Sequence, residues 1–226
     1  MPNDIFRYKL TYTLIAINVL VYLFSAFLSH SIVDMDMETL VHMGALFGPY
    51  TIQDGEWWRV FAAMFLHGGL THILMNMFSL YIVGRAAEIY FDLKSYLGIY
   101  LFSGLIGGFA SLSMHPESVG VGASGAIFGL FGALAGFFLA HAEKISAHSK
   151  AFMKEFAIII GINLLIGFSI PEVDVSAHIG GLFAGMLGGF LVSKNQKFFL
   201  LYSLAMFLVV AIWMPYLSSQ YAQVHF

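Results

Sequence analysis

The chain has no cysteine, which excludes disulfides, thiol nucleophiles and thiolate metal ligands but names no compartment. It is also poor in charge. Only 10% of its residues are Asp, Glu, Lys or Arg, too few to coat a soluble domain of this size. Ten Lys and Arg stand against thirteen Asp and Glu, so there is no basic excess to hold a nucleic acid. Linkers, low-complexity tracts and long repeats are missing. No His-Glu-x-x-His pattern occurs, and no carboxylate is suitably placed within an apolar run to complete a metal site with histidine. No metal and no cofactor are expected.

What is abundant is apolar surface. Hydrophobic residues make up 59% of the 226 positions, and Phe alone fills 23 of them. A helix needs about 20 apolar residues to cross a hydrocarbon core. Seven segments approach or reach that length, near 10–28, 71–89, 95–114, 123–141, 152–170, 175–193 and 198–217. The fifth carries Lys154 and Glu155 in its first turn, which places that turn at the interface. The alternation of a lipid-facing strand is absent, and lipid leaves an unpaired backbone no other solution than a helix. The expected fold is an all-α polytopic membrane protein, a single membrane domain over 1–226. The run from Leu10 to Leu28 is longer than a usual signal-peptide core and lacks a small-x-small cleavage site, so it reads as an anchor.

Charge sets the expected orientation. Nine of the ten basic residues fall at alternate segment ends: Arg7 and Lys9; Arg85 and Lys94; Lys144, Lys150 and Lys154; Lys194 and Lys197. Arg59 alone falls on the other side, with Asp34, Asp36, Glu38, Asp54, Glu56, Glu117, Glu172 and Asp174. The positive-inside tendency then puts the N-terminus in the cytoplasm and, after seven crossings, the C-terminus outside.

Polar chemistry gathers at one depth. Ser124 opens the fourth segment, His178 the sixth, and His72 and Asn76 the second, and all three would enter from the outer side. Each has a plain structural reading: a serine at a helix start caps it, a histidine or asparagine in a membrane helix hydrogen-bonds a neighbour. Their common placement favours chemistry instead, because serine needs a base to take its proton and His178 is available. His72 and Asn76, four residues apart, share one helix face. Gly181, Gly185 and Gly189 recur every four residues on the face of His178, and Gly125, Gly129, Gly132 and Gly136 line the segment behind Ser124. Such small-residue strips let helices approach closely in lipid. They serve ordinary packing equally well.

Taken in order, Trp58-Arg59, His72-x-x-x-Asn76, Gly122-Ala-Ser124-Gly125 and Ala177-His178 with its glycine strip make the chain resemble the rhomboid intramembrane serine proteases over nearly all its length. The resemblance implies a six-helix core over about 10–193 with an extra C-terminal transmembrane helix at about 198–217. It implies Ser124 as nucleophile and His178 as general base, acting as a dyad without a third carboxylate. It also implies that His72, Asn76 and the backbone N–H of Ser124 stabilise the oxyanion, that Gly122 keeps the preceding loop open, and that Phe128 packs on the His178 ring. Asp174, four residues before His178, is expected in the acidic outer loop facing water.

The segment from about 29 to 70 is too long for a connector, and its Tyr50, Trp57, Trp58 and Phe61 seek interfaces. It is expected to form a partly inserted loop beside the site. Trp58 and Arg59 would be anchors, and His67 would have a structural or hydrogen-bonding role. The resemblance implies that single-pass transmembrane proteins enter laterally and are cleaved near the outer face. A catalytically silent relative that binds membrane proteins for trafficking or quality control is the alternative. With no organellar targeting extension, a bacterial cell inner (plasma) membrane is the expected location. The oligomeric state is open.

Overall fold

The computed structural model describes residues 2–143 and 173–225, with scattered positions between 154 and 170. The expected crossing at 152–170 lies largely outside the described residues. Helices account for nearly all regular structure: α1 (Pro2–Arg7), α2 (Lys9–Ser29), α3 (Met37–His42), α4 (Arg59–Ala62), α5 (Leu70–Tyr90), α6 (Leu93–Met114), α7 (Ser124–Ala140), α8 (Val175–Lys194) and α9 (Phe198–His225). A π-helical turn at Pro49–Gln53 and a 3₁₀ turn at Ala63–Phe65 complete the described elements. Among the described residues strand pairing is limited to two isolated bridges, Asp34 with Gly69 and Leu46 with Gly120. The chain is an all-α polytopic membrane protein. By length and composition α2, α6, α8 and α9 can each cross a bilayer, α5 is also 21 residues long, and α7 is a shorter apolar helix of 17.

Helix starts follow local chemistry. Asp36, Asp92 and Asp174 each accept a hydrogen bond from a backbone N–H three residues on, capping α3, α6 and α8. The start of α2 has no such cap of its own. Glu88, near the end of α5, serves instead: its carboxylate accepts from the N–H of Leu10 at 2.9 Å, and from the N–H and hydroxyl of Thr11 at 3.0 and 2.7 Å. A carboxylate there meets the positive end of the α2 dipole. The Thr11 hydroxyl also lies 3.2 Å from the phenol of Tyr96, joining α2, α5 and α6 through one buried polar point.

The centre of the molecule is α7. Most of its residues are buried, and α8 crosses it at backbone contact. A Cβ built on Gly181 would stand 2.0 Å from the Gly125 carbonyl oxygen, one on Gly185 1.9 Å from that of Gly129, and one on Gly189 2.2 Å from that of Ala133. Gly132 and Gly136 press in the same way on the Leu182 and Met186 carbonyls. Without side chains on these faces the two helices gain dispersion contacts along their whole shared length.

The segment between α2 and α5 is ordered by Arg59, which is 6% exposed. Its guanidinium donates to Glu56 at 2.6 Å and to the Val41 and Ala45 carbonyls at 2.6 and 3.2 Å. The rings of Tyr50 and Trp58 lie 4.9 and 5.0 Å from it. Burying this charge is possible because the Glu56 carboxylate pairs it and two backbone carbonyls accept from it. Trp58 itself is half exposed and rests on Gly44, which leaves no room for a Cβ.

The helix at 198 continues to His225 rather than ending near 217. The apolar run fades after Leu217, but the backbone carries on. Tyr221 is held there by a hydrogen bond from its hydroxyl to Glu117 at 2.8 Å.

Candidate active site

Ser124 is the first residue of α7 and is half-buried. The first bond of that helix runs from the Ile127 N–H to the Ala123 carbonyl at 3.0 Å, so the Ser124 N–H belongs to the turn whose donors have no intrahelical acceptor. The approach to Ser124 is pinned by backbone pairing. Leu46 and Gly120 exchange two hydrogen bonds of 2.9 Å, and Gly122 donates to the Ala63 carbonyl at 2.9 Å. Gly122 has φ +128°, a conformation that side chains rarely adopt. A Cβ there would also meet His72 Nε2 at 2.9 Å, with Ser124 Oγ 3.8 Å from the same point. His72 Nε2 and Ser124 Oγ therefore flank one small space beside Gly122.

The tautomer of His72 follows from its other nitrogen. Nδ1 accepts a long hydrogen bond from the Gly68 N–H at 3.4 Å. In a neutral imidazole Nε2 then carries the proton, and Nε2 is the atom that faces Gly122. Asn76, 6% exposed, donates one amide N–H to the His72 carbonyl at 3.0 Å, and its Oδ1 is buried without a partner.

His178 lies in the first turn of α8 and is 7% exposed. Phe128, one turn into α7, stacks flat on its ring at a centroid distance of 4.2 Å. The Ala177 carbonyl, beside His178, packs against Gly125, beside Ser124, and against Gly107 of α6. The described hydrogen bonds include none between Ser124 and His178, and His178 Nδ1 is buried without a partner. Catalytic hydrogen bonds are often long or open without substrate.

Asp174 does not stand free in water as expected. It is half-buried at the N-cap of α8, where it accepts from the Ser176 hydroxyl and from the Ala177 N–H at 3.1 Å. Burial pushes its carboxyl upward, but the hydrogen bonds from Ser111, Ser176 and Ala177, with His115 nearby, hold it below the usual carboxylate range. Its side chain is thus spent on the helix start and not on His178 Nδ1. The pattern Asp-x-x-Ala before an apolar run was a legible cap signal.

His67 is fully buried, and neither ring nitrogen makes a hydrogen bond. Its ring stands edge-on to His72 with centroids 5.1 Å apart. Among the described residues no group of three or more His, Cys, Asp or Glu is arranged to hold a metal ion.

The helices define a polytopic membrane protein in which a serine and a histidine flank a glycine-held loop. A family model for the Rhomboid domain matches residues 54–195. RHOMBOID-like protein 6, mitochondrial, of Arabidopsis thaliana is 40% identical over 159 residues, covering 70% of this chain and 51% of its own length. The putative rhomboid protease YdcA of Bacillus subtilis is 33% identical over 194 residues, covering 84% of this chain and 92% of its own. Rhomboid protease GluP of the same bacterium is 37% identical over 179 residues, covering 77% and 33%. The chain belongs to the rhomboid family. It spans about half the length of the plant relative.

Proposed function

We propose that the chain is an intramembrane serine endopeptidase that cleaves single-pass transmembrane proteins, with Ser124 as nucleophile and His178 as its base. The observation that carries this reading is the small space beside Gly122 that His72 Nε2 and Ser124 Oγ both border. The protease names of the two bacterial relatives support it.

In this reading Ser124 Oγ gives its proton to His178 and attacks the peptide carbonyl carbon. The carbonyl oxygen takes up the negative charge between the Ser124 N–H, the Nε2–H of His72 and an N–H of Asn76. Each fixed donor of this kind is worth about 10²–10³ in rate. His178 then returns the proton to the leaving amine, the C–N bond breaks, and water hydrolyses the acyl-serine by the same route.

Depth explains why the site is not lipid-locked. At 1.5 Å per residue, 17 residues of α7 span about 25 Å, less than the ~30 Å hydrocarbon core. With the C-terminal end of α7, which leads in sequence toward Lys144, at the cytoplasmic interface, Ser124 would lie below the outer surface, in a recess open to water from outside. A substrate helix must unwind to present an extended peptide there. The orientation is N-terminus in and C-terminus out, and the location a bacterial plasma membrane.

Labelling of the purified chain with a fluorophosphonate, comparing the parent with Ser124→Ala and His178→Ala, tests the reading. Labelling that needs both residues is expected. A folded parent that neither labels nor cleaves a transmembrane peptide in lipid overturns it in favour of a silent binding protein.

A further inference from the structure

We infer that α9, the helix beyond the matched family span, positions the loop that presents Ser124, and that Tyr221 does so through Glu117. The inference rests on the serine-protease reading only for its kinetic readout.

The family match ends at residue 195 and α9 begins at Phe198, so α9 is an addition to the matched domain. Yet its last turns bear on the site. The Tyr221 hydroxyl donates to Glu117 Oε1 at 2.8 Å across 104 residues of sequence. Glu117 lies in the loop 115–123 that leads from α6 into Ser124, and the neighbouring Pro116 carbonyl accepts from the Gly48 N–H at 2.7 Å.

A second path runs through apolar packing. Leu217 and Tyr221 share one buried cluster with Leu46, Ile52, Val60 and Ala63. Leu46 is the residue paired to Gly120, and the Ala63 carbonyl holds the Gly122 N–H. The outer half of α9 therefore backs the two backbone contacts that set Gly120 and Gly122. One turn to two turns earlier, Trp213 stacks on Phe109 at 5.8 Å and donates to the Ser113 hydroxyl at 3.1 Å. Trp57 stacks on Phe109 at the same distance, so α6 is held between α9 and the segment that joins α2 to α5.

A loop held from both sides keeps the nucleophile in register, and displacement of a reacting group by about 1 Å can cost 10²-fold in rate. Tyr221 is a positioning residue in this scheme, since it touches no reacting atom.

The test uses the full chain in detergent, comparing the parent, Tyr221→Phe, Glu117→Ala and Glu117→Gln. Two quantities are read: the rate of fluorophosphonate labelling, and hydrogen exchange at the Gly120 and Gly122 amides. Tyr221→Phe and Glu117→Ala are expected to label about three- to tenfold more slowly, the worth of one hydrogen bond, with faster exchange at both amides. Glu117→Gln keeps an acceptor oxygen and is expected to stay near the parent. Unchanged exchange in both Tyr221→Phe and Glu117→Ala overturns the inference whatever the labelling does. A parent that does not label at all fails the protease reading instead, and the exchange comparison still decides the role of Tyr221.

Discussion

Phe128 lies flat on the imidazole of His178, ring centroids 4.2 Å apart and planes 10° from parallel. The two residues come from different helices, so the stack fixes the ring plane of His178 only because α7 and α8 touch at backbone level. Removing the aromatic ring frees the imidazole to rotate. Phe128→Ala is expected to lower kcat about ten- to a hundredfold with little change in KM. Phe128→Tyr, which keeps a flat ring, is expected to retain more activity. Equal kinetics for parent and Phe128→Ala in a transmembrane-peptide assay would remove the stack from the mechanism.

The close approach of α7 and α8 has its tightest point at Gly185, where a Cβ would fall 1.9 Å from the Gly129 carbonyl oxygen. Neither partner is a flexible side-chain end, so the helices must part. Gly185→Ala is expected to destabilise the fold by about 1–3 kcal/mol, read as a lower thermal midpoint in detergent. Gly185→Val is expected to be worse. A parent-like midpoint for both would show that the helices separate at no cost.

Glu88 caps a helix to which it does not belong. Glu88→Ala leaves the N–H groups of Leu10 and Thr11 without their acceptor and is expected to cost about 1.5–3 kcal/mol. Glu88→Gln keeps one oxygen but loses the charge facing the α2 dipole, and is expected to fall between. The measurement is the midpoint of unfolding. A glutamine variant worse than alanine would contradict the capping role.

His67 links stability to acid. Burial, and then the neighbouring His72, push its pKa from 6.5 down to about 3. Between those values the unfolded chain binds a proton that the folded chain refuses. Stability therefore falls as pH drops below about 6.5, by ~1.4 kcal/mol per pH unit for this one group. His67→Phe, or His67→Asn if the larger ring does not fit, is expected to give a shallower loss of thermal midpoint between pH 6.5 and 4.5. The parent slope in both variants would assign the acid sensitivity to other groups.

Apolar run length alone determined most of the helices. The expected segments at 71–89, 95–114, 123–141 and 175–193 coincide within about two residues with α5, α6, α7 and α8, because lipid forces each run to satisfy its backbone internally. The motifs around Ser124, His72 and His178 were legible for the same local reason: they sit at helix starts, where position in sequence sets depth. What sequence did not disclose depends on contacts between distant residues. The capping role of Glu88 is invisible in the sequence, because its partners Thr11 and Leu10 lie 77 and 78 residues away. The course of α9 past Leu217 depends likewise on Glu117 of another segment. Hydropathy is a property of each residue and its neighbours in the chain, so it can be read in one dimension. The satisfaction of a buried polar group is a property of whatever folds against it, and only the tertiary structure decides that.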